Sequence, residues 1–183
     1  SGLGYFLVQN HQSFVRLLEV GLGTGLNFLL TADYAVKNSL QLDYTAIEAY
    51  PLSETLLAQT GYDQFVETAI WKGFLAKYNA AFTEPSAISP GIKLKVAKSL
   101  LANFEMQGQV DVIYYDAFAA IHQPEMWTDE ALARVCKYLK PGGVFVTYAI
   151  TGNLKRSMKA LGFAIEKAPG APGKREMLRA VRR

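Results

Sequence analysis

The feature that most constrains this chain is a strand that runs straight into a glycine loop and then a helix. Val15–Val20 (Val-Arg-Leu-Leu-Glu-Val) reads as a short buried strand, and Gly21-Leu22-Gly23-Thr24-Gly25 follows it directly. A helical pattern begins at Leu26 and continues to about Lys37, with Phe28, Leu29, Ala32 and Val36 on one face. Three glycines in five residues are costly for a plain turn. They let the backbone turn sharply and approach a ligand where a Cβ would collide. The helix that starts behind them offers unpaired amide hydrogens to a polar ligand.

The rest of the chain alternates in the same manner. Leu42–Glu48 reads as a second strand that ends on an acid, and Pro51 suits the first turn of the next helix. Asp63–Tyr78 is a further amphipathic helix, and Glu84–Gly91, with Pro85 and Pro90, reads as a loop. Ile92–Ala97 alternates like a strand, and Ser99–Gln107 suits a short helix. Val110–Tyr115 is a strand that ends at Asp116. Pro124 opens a helix to about Leu139, and Val144–Ile150 is a strand. Asn153–Leu161 is a helix stopped by Gly162. Phe163–Lys167 and Glu176–Val181 read as strands whose link is too short for a parallel crossover, which predicts an antiparallel hairpin. Six or seven strands alternating with helices predict an α/β fold, mostly parallel, with a C-terminal antiparallel hairpin. The 183 residues suit a single domain of that kind.

Composition narrows the chemistry. One cysteine, Cys136, rules out an intramolecular disulfide framework and a thiolate metal cage, and it reads as a small core residue. His11 and His122 are isolated, with no spacing for a metal or a triad, so no metal is expected. No apolar run approaches the ~20 residues needed to span a bilayer, and no signal peptide is visible. The expectation is a cytoplasmic protein without a membrane partner. The formal charge of +3 divides unevenly along the chain. Residues 151–183 hold nine Lys and Arg against Glu166 and Glu176, a net of +7, whereas residues 1–150 net −4. Such a basic end suits a polyanionic partner.

The loop's spacing fits one cofactor class badly. A dinucleotide fingerprint requires its third glycine at position 26, which is Leu26. The order Glu19-x-Gly21-x-Gly23-x-Gly25 instead resembles motif I of S-adenosylmethionine-dependent methyltransferases. That resemblance implies a loop passing the methionine part of the cofactor, with Glu19 organising the loop and the ligand's ammonium. Glu48, 23 positions after Gly25, can accept both ribose hydroxyl hydrogens, as the acid does in nucleotide-binding βαβ units.

Further strings are more specific. Gly21–Leu30, Asp116–Trp127 (Asp-Ala-Phe-Ala-Ala-Ile-His-Gln-Pro-Glu-Met-Trp), Phe145–Tyr148 and Gly173–Leu178 together resemble one family. It is the methyltransferase domain of the MnmC tRNA 5-methylaminomethyl-2-thiouridine biosynthesis proteins and their stand-alone relatives. The similarity spans about Val15 to Ala180. It implies a class I methyltransferase fold and transfer of a methyl group from S-adenosylmethionine to the amine of 5-aminomethyl-2-thiouridine at the tRNA wobble position. The site it implies holds the cofactor on Glu19, Gly21, Gly23, Gly25, Asn27, Glu48, Lys98, Ser99 and Asp116.

In the same reading Asp116 is the catalytic group that orients the amine and helps receive its proton. Phe118, Tyr148, Lys174 and Arg175 face the substrate; read from the residues alone, Phe118 equally suits a core aromatic, and Trp127, though it fits the family string, reads as a helix anchor in the core. The chain departs from the family in three ways. Ala117 and Ala120 replace residues of the usual Asp-Gly-Phe-Ala-Pro string. Lys98 stands near the place of an acid that holds the adenine amino group, so adenine recognition is expected from backbone around Ala97–Leu100. Only fourteen residues precede Val15, so the strand-rich segment of relatives is expected to be truncated. The flavin-dependent oxidase half of the bifunctional members is not expected here, which implies a separate oxidase or another enzyme that supplies the precursor. The competing readings are a methyltransferase of another RNA or small amine, and a cofactor-binding module without catalysis.

Overall fold

A computed structural model describes residues 2–169 and 176–183. In chain order its regular elements are α1 (Gly2–Asn10), β1 (Phe14–Val20), α2 (Leu26–Lys37), β2 (Gln41–Ile47), α3 (Glu54–Ala58), α4 (Thr68–Lys77), β3 (Ser86–Ser89) and β4 (Ile92–Ala97). They continue with β5 (Val110–Tyr115), α5 (Asp129–Cys136), β6 (Leu139–Thr147), α6 (Gly152–Ala160), β7 (Phe163–Pro169) and β8 (Glu176–Arg182). The contacts divide into two compact units: Gln12–Leu100, and the residues up to His11 together with Leu101–Arg183.

In the first unit the strands lie in the order β3-β4-β2-β1. The pairs β1/β2 and β2/β4 are parallel, and Val20 partners Ile47 while Ile47 partners Ala97. Three strands therefore end level, and the chain delivers Gly21, Glu48 and Lys98 at one sheet edge. Beneath that edge runs an aromatic core. Phe28 of α2 meets Tyr44 of β2 edge-on at 5.1 Å and Phe74 of α4 at 5.6 Å, and Phe74 continues to Tyr78 at 5.6 Å. Each of these rings is buried, and burying one such side chain stabilises the fold by about 1.5–3 kcal/mol.

In the second unit the order is β5-β6-β8-β7. β5 and β6 are parallel, while β8 pairs antiparallel with both β6 and β7. The C-terminal hairpin read from the short link is thus present. Tyr114 partners Val146, so Asp116 and Tyr148 leave their strands at the same edge. α1 packs on β5 and β6, and α6 packs on β7. Cys136 is buried in α5, and burial pushes its thiol up to about 12, consistent with a core role.

Several boundaries differ from the sequence reading. Residues 84–91 contain β3 rather than loop alone, because the prolines bracket Ser86–Ser89 and Ser86 and Ile88 turn inward. The helix expected from Pro51 starts at Glu54, where the Ser53 hydroxyl accepts the Leu56 amide at 3.3 Å. The helix expected over 63–78 is a 3₁₀ turn at Tyr62–Gln64 followed by α4. The stretch 99–107 holds only a 3₁₀ turn at Leu101–Asn103. Pro124–Trp127 is a separate 3₁₀ turn ahead of α5, which Thr128 caps. β6 begins at Leu139, earlier than the Val144 expected, and eight strands occur among the described residues.

Candidate active site

The glycine loop adopts the backbone that its composition demands. Gly21, Gly23 and Gly25 have φ of 88°, 54° and 79°, values that a side chain disfavours. Gly25 is also a steric requirement, since a Cβ there would lie 2.7 Å from Cζ of Phe74. It forms the N-cap of α2, and its amide donates to the Leu22 carbonyl at 2.9 Å. Gly23 is different. It is exposed, and nothing lies within 4 Å of the place a Cβ would occupy.

Glu19 supports this loop from beneath. Its carboxylate is fully buried, accepting the Asn27 amide at 2.9 Å and the Tyr44 hydroxyl at 2.8 Å. It therefore ties the end of β1 to the first turn of α2 and to β2. A buried carboxylate of this kind is tolerable only because donors surround it. Asn27, expected among the cofactor-holding residues, is one of those donors.

Glu48 closes the other side. Its Oε2 accepts the Gly23 amide at 2.9 Å, and its Oε1 accepts the Tyr50 amide at 3.0 Å. Its own amide donates to the Ala97 carbonyl at 3.0 Å, and its carbonyl accepts the Ser99 amide at 3.3 Å. The acid thus joins the glycine loop to the end of β4. An ionised carboxylate offers about four lone-pair sites, so two bonds leave acceptor capacity for hydroxyl groups. Lys98 is exposed and Ser99 half-buried, with the Ser99 hydroxyl donating to the Leu100 carbonyl at 2.9 Å. Tyr78 underlies this corner, with its hydroxyl donating to the Leu52 carbonyl at 3.0 Å. Burial, then the charge of Glu48, pushes its phenol up to about 12, so it remains a donor at neutral pH. An open glycine turn beside a carboxylate with spare acceptor sites fits a nucleoside cofactor bearing ribose hydroxyls.

Asp116 and Phe118 belong to the other unit. Asp116 follows β5 directly and is exposed. The loop behind it is held at two successive carbonyls. The Tyr148 hydroxyl donates to Ala117 O at 2.7 Å, and Trp127 Nε1 donates to Phe118 O at 2.8 Å. Trp127 stands edge-on to Tyr115 at 5.2 Å and to Tyr148 at 6.3 Å, so the two donors also brace each other. The Phe118 side chain is 70% exposed and Ile121 is 85% exposed, which excludes a core role for either. Trp127 is only half-buried, so it is not the core anchor that its position suggested. The reason is the 3₁₀ turn, which swings its indole toward Phe118 nine residues back. Tyr148 likewise holds the loop rather than standing free. Desolvation, then the charge of Asp116, raises its pKa, which keeps the hydroxyl protonated as the donor. Lys174 and Arg175 lie outside the described residues.

This clamp carries a prediction. Tyr148→Phe deletes the hydrogen bond to Ala117 O and is expected to lower stability by about 0.5–1.5 kcal/mol. Methyl transfer per folded molecule should fall severalfold through turnover, with cofactor affinity unchanged. Chemical denaturation and steady-state kinetics on the same preparation check both.

Residues 66–183 match the S-adenosyl-L-methionine-dependent methyltransferase family. The chain is 34% identical over 176 residues to the tRNA 5-methylaminomethyl-2-thiouridine biosynthesis bifunctional protein MnmC of Magnetococcus marinus, covering 90% of this chain and 26% of that protein. It is 34% identical over 185 residues to the MnmC of Leptospira interrogans, covering 92% and 27%. It therefore spans about a quarter of the length of these curated relatives. Among solved structures, MnmC2 from Aquifex aeolicus superposes with a TM-score of 0.73 at 20% identity, over 96% of this chain and 56% of that one. S-adenosylmethionine-bound CalS10, an amino pentose methyltransferase from Micromonospora echinaspora, superposes with a TM-score of 0.57 at 16% identity, over 98% and 88%. These likenesses establish the class I methyltransferase fold. With a family match over well more than half its length, the chain belongs to the S-adenosyl-L-methionine-dependent methyltransferases, and S-adenosylmethionine is its cofactor.

Proposed function

We propose that this enzyme methylates the primary amine of 5-aminomethyl-2-thiouridine at the wobble position of tRNA, with residues 1–183 acting as one catalytic domain. The observation that carries the reading is the 34% identity, over nine-tenths of this chain, to bifunctional MnmC proteins. In this reading Gly21, Gly23 and Gly25 shape the cofactor loop, and Glu19 and Asn27 hold it in form. Glu48 accepts from the ribose hydroxyls. Ser99 and Lys98 flank the adenine, which is read by backbone around Ala97–Leu100.

S-adenosylmethionine supplies a methyl group on a positively charged sulfur. The protein's task is to present a neutral amine in line with that bond, because a protonated amine has no lone pair. Asp116 accepts a hydrogen bond from the amine, orients it, and receives its proton directly or through water. Phe118 packs against the base, and the clamp of Tyr148 and Trp127 keeps both residues in register. The reaction requires an upstream enzyme that builds the aminomethyl group, and in this reading the protein works on its tRNA in the cytoplasm. Among the described residues no helix is long and apolar enough to cross a membrane.

Mass spectrometry of tRNA nucleosides from a strain lacking the gene tests the reading. The methylated wobble uridine should disappear and its aminomethyl precursor accumulate. An unchanged nucleoside profile, with methylation of a small amine by the purified protein, would overturn it.

A further inference from the structure

Part of the positive charge of the C-terminal region is engaged inside the fold, at Lys167, Arg179 and Arg182. Arg179 donates to Oε2 of Glu166 through Nε at 3.1 Å and through a terminal nitrogen at 2.7 Å, and its guanidinium lies 3.6 Å over the Tyr5 ring. Lys167 pairs with Glu176 at 3.0 Å. Arg182 donates to the carbonyls of Cys136, Lys137 and Leu139, closing the end of α5. What is left on a described element is the set Lys155, Arg156 and Lys159 of α6. Among the described residues no ion pair involves any of the three. No acid occurs in the sequence between Glu130 and Glu166.

The helix presents this set as one face. Leu154 and Met158 are buried, in the direction of β7, against which α6 packs. At 3.6 residues per turn, Lys155, Lys159 and Arg156 fall in an arc of about 100°, from half-buried Lys155 beside Met158 to exposed Arg156 opposite the buried pair. Among the described residues, the acid that bonds to a side chain of α6 is Asp129, and it is held by Ser157 on the flank outside that arc. Arg156 also donates to the side chain of Asn153, one turn back on the same helix. α6 starts at the end of β6, which runs parallel to β5, so its first turn lies at the edge that carries Asp116.

We infer that the outer face of α6 is the surface on which this enzyme holds the phosphate backbone of its RNA. The inference rests on the tRNA reading above and adds the contact surface to it. Phosphate binding sums over several cations, and three unpaired ones on a single rigid helix suit a backbone track. An anionic membrane is disfavoured because the apolar side of α6 is already packed, whereas an interfacial helix needs an apolar face to insert.

The test uses the full chain and tRNA. Fluorescence anisotropy with labelled tRNA is followed from about 50 to 200 mM salt for the wild type, for Lys155→Gln/Arg156→Gln/Lys159→Gln, and for the charge-keeping Lys155→Arg/Lys159→Arg. Each lost phosphate contact should reduce the slope of log affinity against log salt by about 0.7–0.9. Three lost contacts amount to roughly 20- to 40-fold less salt sensitivity across that range. The charge-keeping variant should retain wild-type binding, and S-adenosylmethionine affinity should be the same in all three proteins. If tRNA binding and its salt slope survive the triple substitution, the inference is wrong while the functional reading stands. If the wild type binds no tRNA in a salt-dependent manner, the functional reading fails, and this surface with it. Binding of the wild type to phosphatidylserine vesicles, lost in the triple variant while tRNA binding persists, would overturn the inference in favour of a lipid surface.

Discussion

Asp116→Asn is expected to cut methyl transfer by about 10²- to 10⁴-fold, the range for removing a positioned acid–base group. The substitution keeps the size of the side chain and most of its hydrogen bonding, but the amide can no longer take a proton. The folded protein should therefore persist and still bind S-adenosylmethionine by calorimetry, so the loss appears in turnover. The pH profile offers a second reading. An amine that must lose its proton unaided reacts faster as pH rises, so the variant should recover part of its activity in alkaline buffer. Unchanged turnover on tRNA bearing the aminomethyl base would remove Asp116 from the catalytic role. The clamp on the adjoining carbonyls, from Tyr148 and Trp127, explains why an exposed acid can hold a defined position.

The second large effect is expected at Gly25. Alanine there must adopt φ near 79°, which costs about 1–2 kcal/mol for a residue with a Cβ. That Cβ would also lie 2.7 Å from the Phe74 ring, and overpacking of a filled core costs typically about 1–3 kcal/mol. Phe74 cannot yield easily, because it is buried and meets Phe28, Trp71 and Tyr78. Gly25→Ala should thus lose about 2–5 kcal/mol in urea denaturation, and S-adenosylmethionine binding should weaken with it. Gly23→Ala is the control. Its φ is 54°, but no atom waits within 4 Å, so only the conformational cost of about 1–2 kcal/mol remains. Equal losses at the two positions would show that Phe74 does not confine the loop.

Much of the fold could be read from local pattern. The strand, glycine loop and α2 were legible because glycines at positive φ and a 3.6-residue apolar repeat are properties of a few consecutive residues. The C-terminal hairpin was legible because a short link cannot carry a parallel crossover. β3 was not, since two prolines outweigh a four-residue alternation whose strand character comes from pairing with β4. α1 was not read either, and its packing on β5 and β6 depends on residues more than a hundred positions away. In the site, Glu48 was found from its place at a strand end. Its grip on the Gly23 amide, 25 residues back, is a matter of register between parallel strands. The half-buried place of Trp127 is not legible in the sequence, because a 3₁₀ turn, not an α-helix, directs its indole.

The charge pattern separates the two kinds of knowledge most clearly. The sequence alone determined how many basic residues the C-terminal region carries and that no acid interrupts them between Glu130 and Glu166. Only the tertiary structure decided which of them are engaged within the fold. The antiparallel register of β7 and β8 sets Glu166 opposite Arg179, and the same fold turns Arg182 onto the carbonyls that end α5. Coulomb attraction depends on distance through space, which separation along the chain does not reveal. Lys155, Arg156 and Lys159 stay outside the ion pairs because their helix turns Leu154 and Met158 inward, leaving Arg156 and Lys159 exposed and Lys155 half-buried.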